Sequence, residues 1–116
     1  MLPAIFITEQ LWNDAVDLAI EIRNVYHFRS VIQCQGSQQT TDEEYNRLMH
    51  MDKMASEHLE KCYKKHDIGK DELMDFVQML MGLSQLISWR QITEMRKDVV
   101  GLLYTPTYNY LTCFKK

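Results

Sequence analysis

The feature that most constrains this chain lies after Thr8, where Leu11, Ala15, Leu18, Ile22, Val25 and Ile32 recur at helical spacing. Glu9, Asp14, Asp17, Glu21 and Arg23 occupy the other faces. The pattern predicts an amphipathic helix from Glu9 to about Gln35, roughly 40 Å long at 1.5 Å per residue. β-branched Val31 and Ile32 weaken its last turns. A helix of that length cannot bury its apolar stripe alone, so the rest of the chain must supply a partner surface. Gly36 stops it, and the polar stretch from Ser37 to Thr40 reads as a loop.

Thr41-Asp42-Glu43-Glu44 has the form of a capping box, in which the Thr hydroxyl and the Glu carboxylate satisfy free N–H groups at a helix start. A second helix follows, with Tyr45, Leu48, Ala55, Leu59 and Cys62 as its apolar seam and Asp52 as an interruption. Lys61, Lys64 and Lys65 complement its C-terminal carbonyls, and 67–70 form the next turn. From Asp71 to Leu103 the chain is apolar over most of a helical circumference, which predicts one or two core helices. Gly82-Leu83 offers a break, and Ser88-Trp89-Arg90-Gln91 reads as a second capping box stapled by Ile87 and Ile92. Helix is expected to persist to Tyr104, until Thr105-Pro106 ends it. Beyond, Tyr108, Tyr110, Thr112 and Phe114 alternate like a strand, as do Leu2 to Ile7. The two ends either pair as a two-stranded patch or each lie extended in a groove.

The expected fold is therefore all-α, a small bundle of about four helices with room for a minor two-stranded pairing of the termini. At 116 residues one domain, 1–116, is expected. Apolar content of 46% and charged content of 25% remove the basis for disorder. No stretch is apolar enough for a membrane span, and Met1 to Ile7 lacks the basic start of a secretory signal. Cys34, Cys62 and Cys113 show no paired short spacing, so reduced thiols in the cytoplasm are expected.

His58, Cys62 and His66 follow one another at i, i+4 and form the best metal candidate. Each step rotates by about 40°, so a closed site needs ligands from a second helix, and no partner motif supplies them. They read as ordinary helix residues, and no metal or other cofactor is assigned. Segment 50–56, His50-Met51-Asp52-Lys53-Met54-Ala55-Ser56, resembles the histidine phosphotransfer-domain pattern of a His, a Lys three residues on, and small residues beyond. That resemblance implies a helical bundle with His50 as phosphoryl carrier. Met54 departs from it, since such domains carry glycine after the Lys to admit a receiver domain.

A formal charge of −3 gives no general attraction for phosphate backbones, although Lys61, Lys64, Lys65 and Lys70, with Tyr63 and His66 interleaved, make a local basic patch. A nucleic-acid-associated regulator is the alternative that this patch allows. Gly36, Gly69, Gly82 and Gly101 form no phosphate-binding loop and no catalytic motif stands out, so catalysis is not expected, although the fold could bring Cys34 or Cys62 to a His. Methionine is the unusual ingredient. Met74, Phe76, Val77, Met79, Leu80, Met81 and Leu83 cover more of one helix than a single neighbour buries. The sequence thus points to a small intracellular, non-enzymatic protein-binding or regulatory protein acting through an apolar helical face. Met74, Met79, Met81, Tyr104, Tyr108 and Tyr110 are its partner-binding candidates. The expected partner is another protein or a second copy in a homo-oligomer, with the polarised charges of the second helix setting orientation.

Overall fold

The computed structural model describes residues 4–35 and 41–105. In chain order they form β1 (Ile5–Phe6), α1 (Glu9–Gln35), α2 (Asp42–Lys65), α3 (Lys70–Leu83), α4 (Trp89–Glu94), the single turn α5 (Arg96–Val99) and β2 (Leu103–Tyr104). This is the expected small all-α bundle, with a two-stranded antiparallel pairing added.

α1 is the spine, touching each of the other helices. Thr8 opens it by accepting from the Leu11 N–H at 3.0 Å through its hydroxyl. Leu11, Trp12, Ala15, Val16, Leu18, Ala19, Ile22 and Val25 are all buried, because α2, α3 and α4 cover its first half from different sides. Trp12 ties two of these neighbours together. Its ring lies 5.8 Å from Phe76 of α3, and its indole N–H donates to the Ile92 carbonyl of α4 at 3.0 Å. Leu73, Phe76, Val77 and Leu80 of α3 are fully enclosed. Each such side chain contributes on the order of 1.5–3 kcal/mol on leaving water.

Both capping boxes form. Thr41 accepts from the Glu44 N–H at 3.1 Å while the Glu44 carboxylate reaches the Thr41 N–H at 3.4 Å, and Ser88 and Gln91 repeat the arrangement. Ile92 is wholly buried and Ile87 half-buried against the core, as a staple requires. α2 closes at His66, and Asp67 takes a left-handed φ of 52° to turn the chain toward α3. Arg23 then holds the far end of α3, donating to the Ser84 hydroxyl with its guanidinium 6.0 Å from the Trp89 ring.

One boundary differs from expectation. Helix does not persist to Tyr104 but ends at Val99, and Gly101, at φ 93°, redirects the chain into β2. Ile5 pairs with Tyr104 and Phe6 with Leu103, and the Ile7 N–H donates to Leu102 at 2.9 Å while the Gly101 N–H donates to Ile7 at 2.8 Å. The described terminal pairing uses Leu103–Tyr104, and the alternating stretch from Thr107 to Phe114 lies outside the described residues. Only a glycine enters that left-handed bend without strain, and it is what lets the ribbon close over α1.

Candidate functional site

Among the described residues the main core along α1 ends at Val25. Along its last ten residues Ile32 is the one buried side chain, and it stands apart from the main core. α2 behaves likewise: Ala55, Leu59 and Cys62 are buried, whereas no residue from Asp42 to Met54 is. The end of α1 and the start of α2 thus project beyond α3 and α4 as a two-helix arm. Tyr26, Val31, Tyr45, Met49 and Met54 stand exposed on it, Tyr45 at 57% and Met49 at 60%. Leu48 and Met51 are the half-buried residues that join it to the core.

The arm is held by few polar contacts. Arg29 of α1 meets Asp52 of α2 at 3.4 Å and lies 5.8 Å from the Tyr26 ring. Arg47 of α2 sits 5.3 Å from the Phe28 ring. These contacts are solvent-exposed and individually weak, on the order of 0.5–1 kcal/mol. Packing is loose where the arm leaves the base. A cleft of about 120 Å³ lies between Val25, Tyr26, Asp52, Leu59 and Met74, and another of about 210 Å³ between Glu21, Asn24, Val25, His50, Met51 and Met54. Asp52, the interruption in the apolar seam, lines the first and turns its carboxylate to Arg29.

Below the arm, acids of α1 clasp basic groups of α2. Asp14 accepts from the His66 ring at 2.8 Å and the Lys65 ammonium at 2.9 Å, and Glu21 contacts the His58 ring at 2.8 Å. Burial pushes the Asp14 carboxyl up, but hydrogen bonds from His66 and Lys65 outweigh it and hold the group below its ordinary range. Burial, with the nearby Asp14 charge, pushes the Cys62 thiol up to about 11, against a smaller pull from Lys65. A thiol so raised is a poor nucleophile and a poor metal ligand. Among the described residues no group of three or more His, Cys, Asp or Glu side chains converges to hold a metal ion. His58 and His66 each direct a ring nitrogen to a carboxylate of α1.

The partner-binding candidates from the sequence fall in three places. Met74, Met79 and Met81 are half-buried and packed against the core, with Met74 also lining the smaller cleft. Tyr104 is half-buried, its ring 5.1 Å from Phe76 and its hydroxyl donating to Asp75. Tyr108 and Tyr110 lie outside the described residues. Much of the apolar circumference of α3 is therefore taken up within the chain, and among the described residues the exposed large apolar side chains stand on the arm, on Leu86, and around the ribbon at Phe6, Val100, Leu102 and Leu103. His50 is exposed beside the larger cleft, next to Met51 and Met54. In the basic patch Lys64 pairs with Glu60 at 2.6 Å and Lys65 with Asp14.

No family model matches this chain, and no curated protein and no solved structure matches it. Among the described residues no helix is long and apolar enough to cross a membrane.

Proposed function

We propose that this chain is a non-enzymatic protein-binding or regulatory protein, and that its docking face is the α1–α2 arm. One observation carries the reading: among the described residues the last ten residues of α1 and the first half of α2 project without a third helix to cover them, with exposed Tyr26, Tyr45, Met49 and Met54 on their surface. Tyrosine and methionine suit such a face, the first as a rigid amphipathic anchor and the second as an adaptable one. A stoichiometric mode of action follows, in which burial of this surface is the functional event. A reducing cytoplasmic setting goes with it, since Cys34 is an exposed free thiol at the end of α1.

The alternatives draw less support. A phosphoryl carrier of the kind that the segment around His50 resembles has glycine after the Lys, and here the larger Met54 shares the cleft margin with His50. A phosphate-binding patch needs unengaged cations, and two of the four lysines are paired with acids. The test is a photo-crosslinking residue placed at Met49 in the full chain within its native cells, with exposed Gln78 of α3 as control. Discrete protein adducts from position 49 and none from 78 support the arm. Adducts from neither, or equally from both, overturn it, and adducts from 78 alone would move the face to α3.

A further inference from the structure

We propose that the arm's partner is a second copy of this chain, with α2 packed antiparallel on α2 about a twofold axis through Lys53 and Met54. The inference rests on the reading of the arm as a docking face and names its occupant, with the contact running on along α2 into the base, so that arm residues of one copy meet base residues of the other. A twofold interface joins one patch to itself, so each residue on one side of the axis meets the residue equally far on the other. A helix face meets that condition only where its charges are complementary about the helix midpoint. α2 meets it.

The helix runs from Asp42 to Lys65, and its midpoint falls between Lys53 and Met54. Equidistant from that point stand Glu43 and Lys64, Arg47 and Glu60, and His50 and Glu57, all exposed. Every pair sets an acid against a basic or protonatable group. Antiparallel docking thus places opposite charges together at these three pairs, whereas parallel docking sets Glu43 on Glu43 and Lys64 on Lys64. Like charges in register cost affinity and opposite ones steer encounter, so the pattern selects one orientation. Lys64 and Glu60 already pair within the chain, yet their side chains are 66% and 52% exposed, which leaves each open to a second charge.

The axis itself is apolar on one side. Met54 is 47% exposed there, and the 210 Å³ cleft beside it, floored by Val25 and Met51, receives a flexible thioether from the copy. The alternating signs along this face match neither a nucleic-acid backbone, which asks for one sign, nor a lipid surface.

The experiment is sedimentation velocity on the full chain over a concentration series, with charge-reversal variants. A monomer–dimer equilibrium that weakens with salt is expected. Glu43→Lys and Lys64→Glu should each weaken association by about tenfold or more, and the double variant should restore it, because the pair is then swapped across the axis. Thermal unfolding of each variant separates lost association from lost folding. Met54→Cys, which stands on the axis, should give disulfide-linked dimers under mild oxidation, with the native cysteines replaced by serine. A strict monomer at about 1 mM, a dimer in which the double reversal fails to restore association, or absence of a link at position 54 overturns the proposal. If the chain is monomeric while position 49 crosslinks to a different protein, the second copy is excluded and the arm stands. If position 49 also captures nothing, both readings fall.

Discussion

Replacing Ile32 by alanine asks whether the arm opens separately from the base. Ile32 is 7% exposed and is the sole buried side chain of α1 beyond Val25, outside the main core. The substitution deletes three carbons, worth about 2.4 kcal/mol at about 0.8 kcal/mol per buried methylene. Half-exposed neighbours can settle into the space, so the added cavity cost should be small. A loss of 2.4 kcal/mol raises the population of the open arm roughly 50-fold, since about 1.4 kcal/mol is a factor of ten. Native-state hydrogen exchange resolves where that loss is felt. Amides from Val31 to Gln35 and from Leu48 to Met51 should exchange about 50-fold faster, while those of Leu18 to Ile22 and Leu73 to Leu80 keep their protection. Equal acceleration in both sets would mean that arm and base unfold as one unit, and the arm would lose its separate identity. No acceleration anywhere would mean that Ile32 contributes no packing.

Three further outcomes are expected. Asp14→Asn should cost about 1–2 kcal/mol at neutral pH, discounting two charge-assisted hydrogen bonds for partial exposure. The folded carboxyl lies below its ordinary value of 3.8, so its contribution is complete above that value and fades as pH falls through the folded one. Urea titrations should therefore show a gap between the two proteins at neutrality that narrows as pH falls below 3.8, and a gap undiminished down to the lowest pH at which both proteins fold would refute the clasp. Cys34 should react with a thiol reagent in the native protein while Cys62, buried and raised to about 11, reacts only on unfolding. Peptide mapping of the labelled chain decides, and equal native labelling would contradict the burial. Gly101→Ala should lower stability by about 1–2 kcal/mol through backbone conformation alone, because a Cβ there meets nothing within 4 Å. An unchanged melting temperature would show that the left-handed bend is dispensable.

Local signals in this chain were readable from sequence where they act over a few residues. Thr41 to Glu44 and Ser88 to Gln91 announce helix starts because both halves of each capping box lie within one turn. The extent of α1 and α2 followed from periodicity bounded by such signals. The end of α5 did not, because Val99, Val100 and Leu103 continue an apolar pattern that suits a helix or a strand equally. Gly101 was the cue to the change. The docking candidates show a different limit. Counting apolar residues on α3 overstates its free surface, since α1 and α2 both pack on it and Met74, Met79 and Met81 end half-buried. The exposure of the arm leaves no mark in sequence either, because Ile22, Val25 and Ile32 keep one spacing whether or not a third helix covers them. The clasp between Asp14 and His66 spans 52 positions, far beyond any local rule.

The way Trp12 is enclosed sets an order of events during synthesis. Its covering partners, Phe76 and the Ile92 carbonyl, are made 64 and 80 residues later. A nascent chain that has emerged only through α2 can zip its hairpin but carries a bare indole at its root. Growth at about 5–20 residues per second leaves that ring uncovered for seconds, a window in which a chaperone would find its handle at position 12. The clasp of Ile5 and Phe6 on Leu103 and Tyr104 comes later still, once residue 104 has emerged.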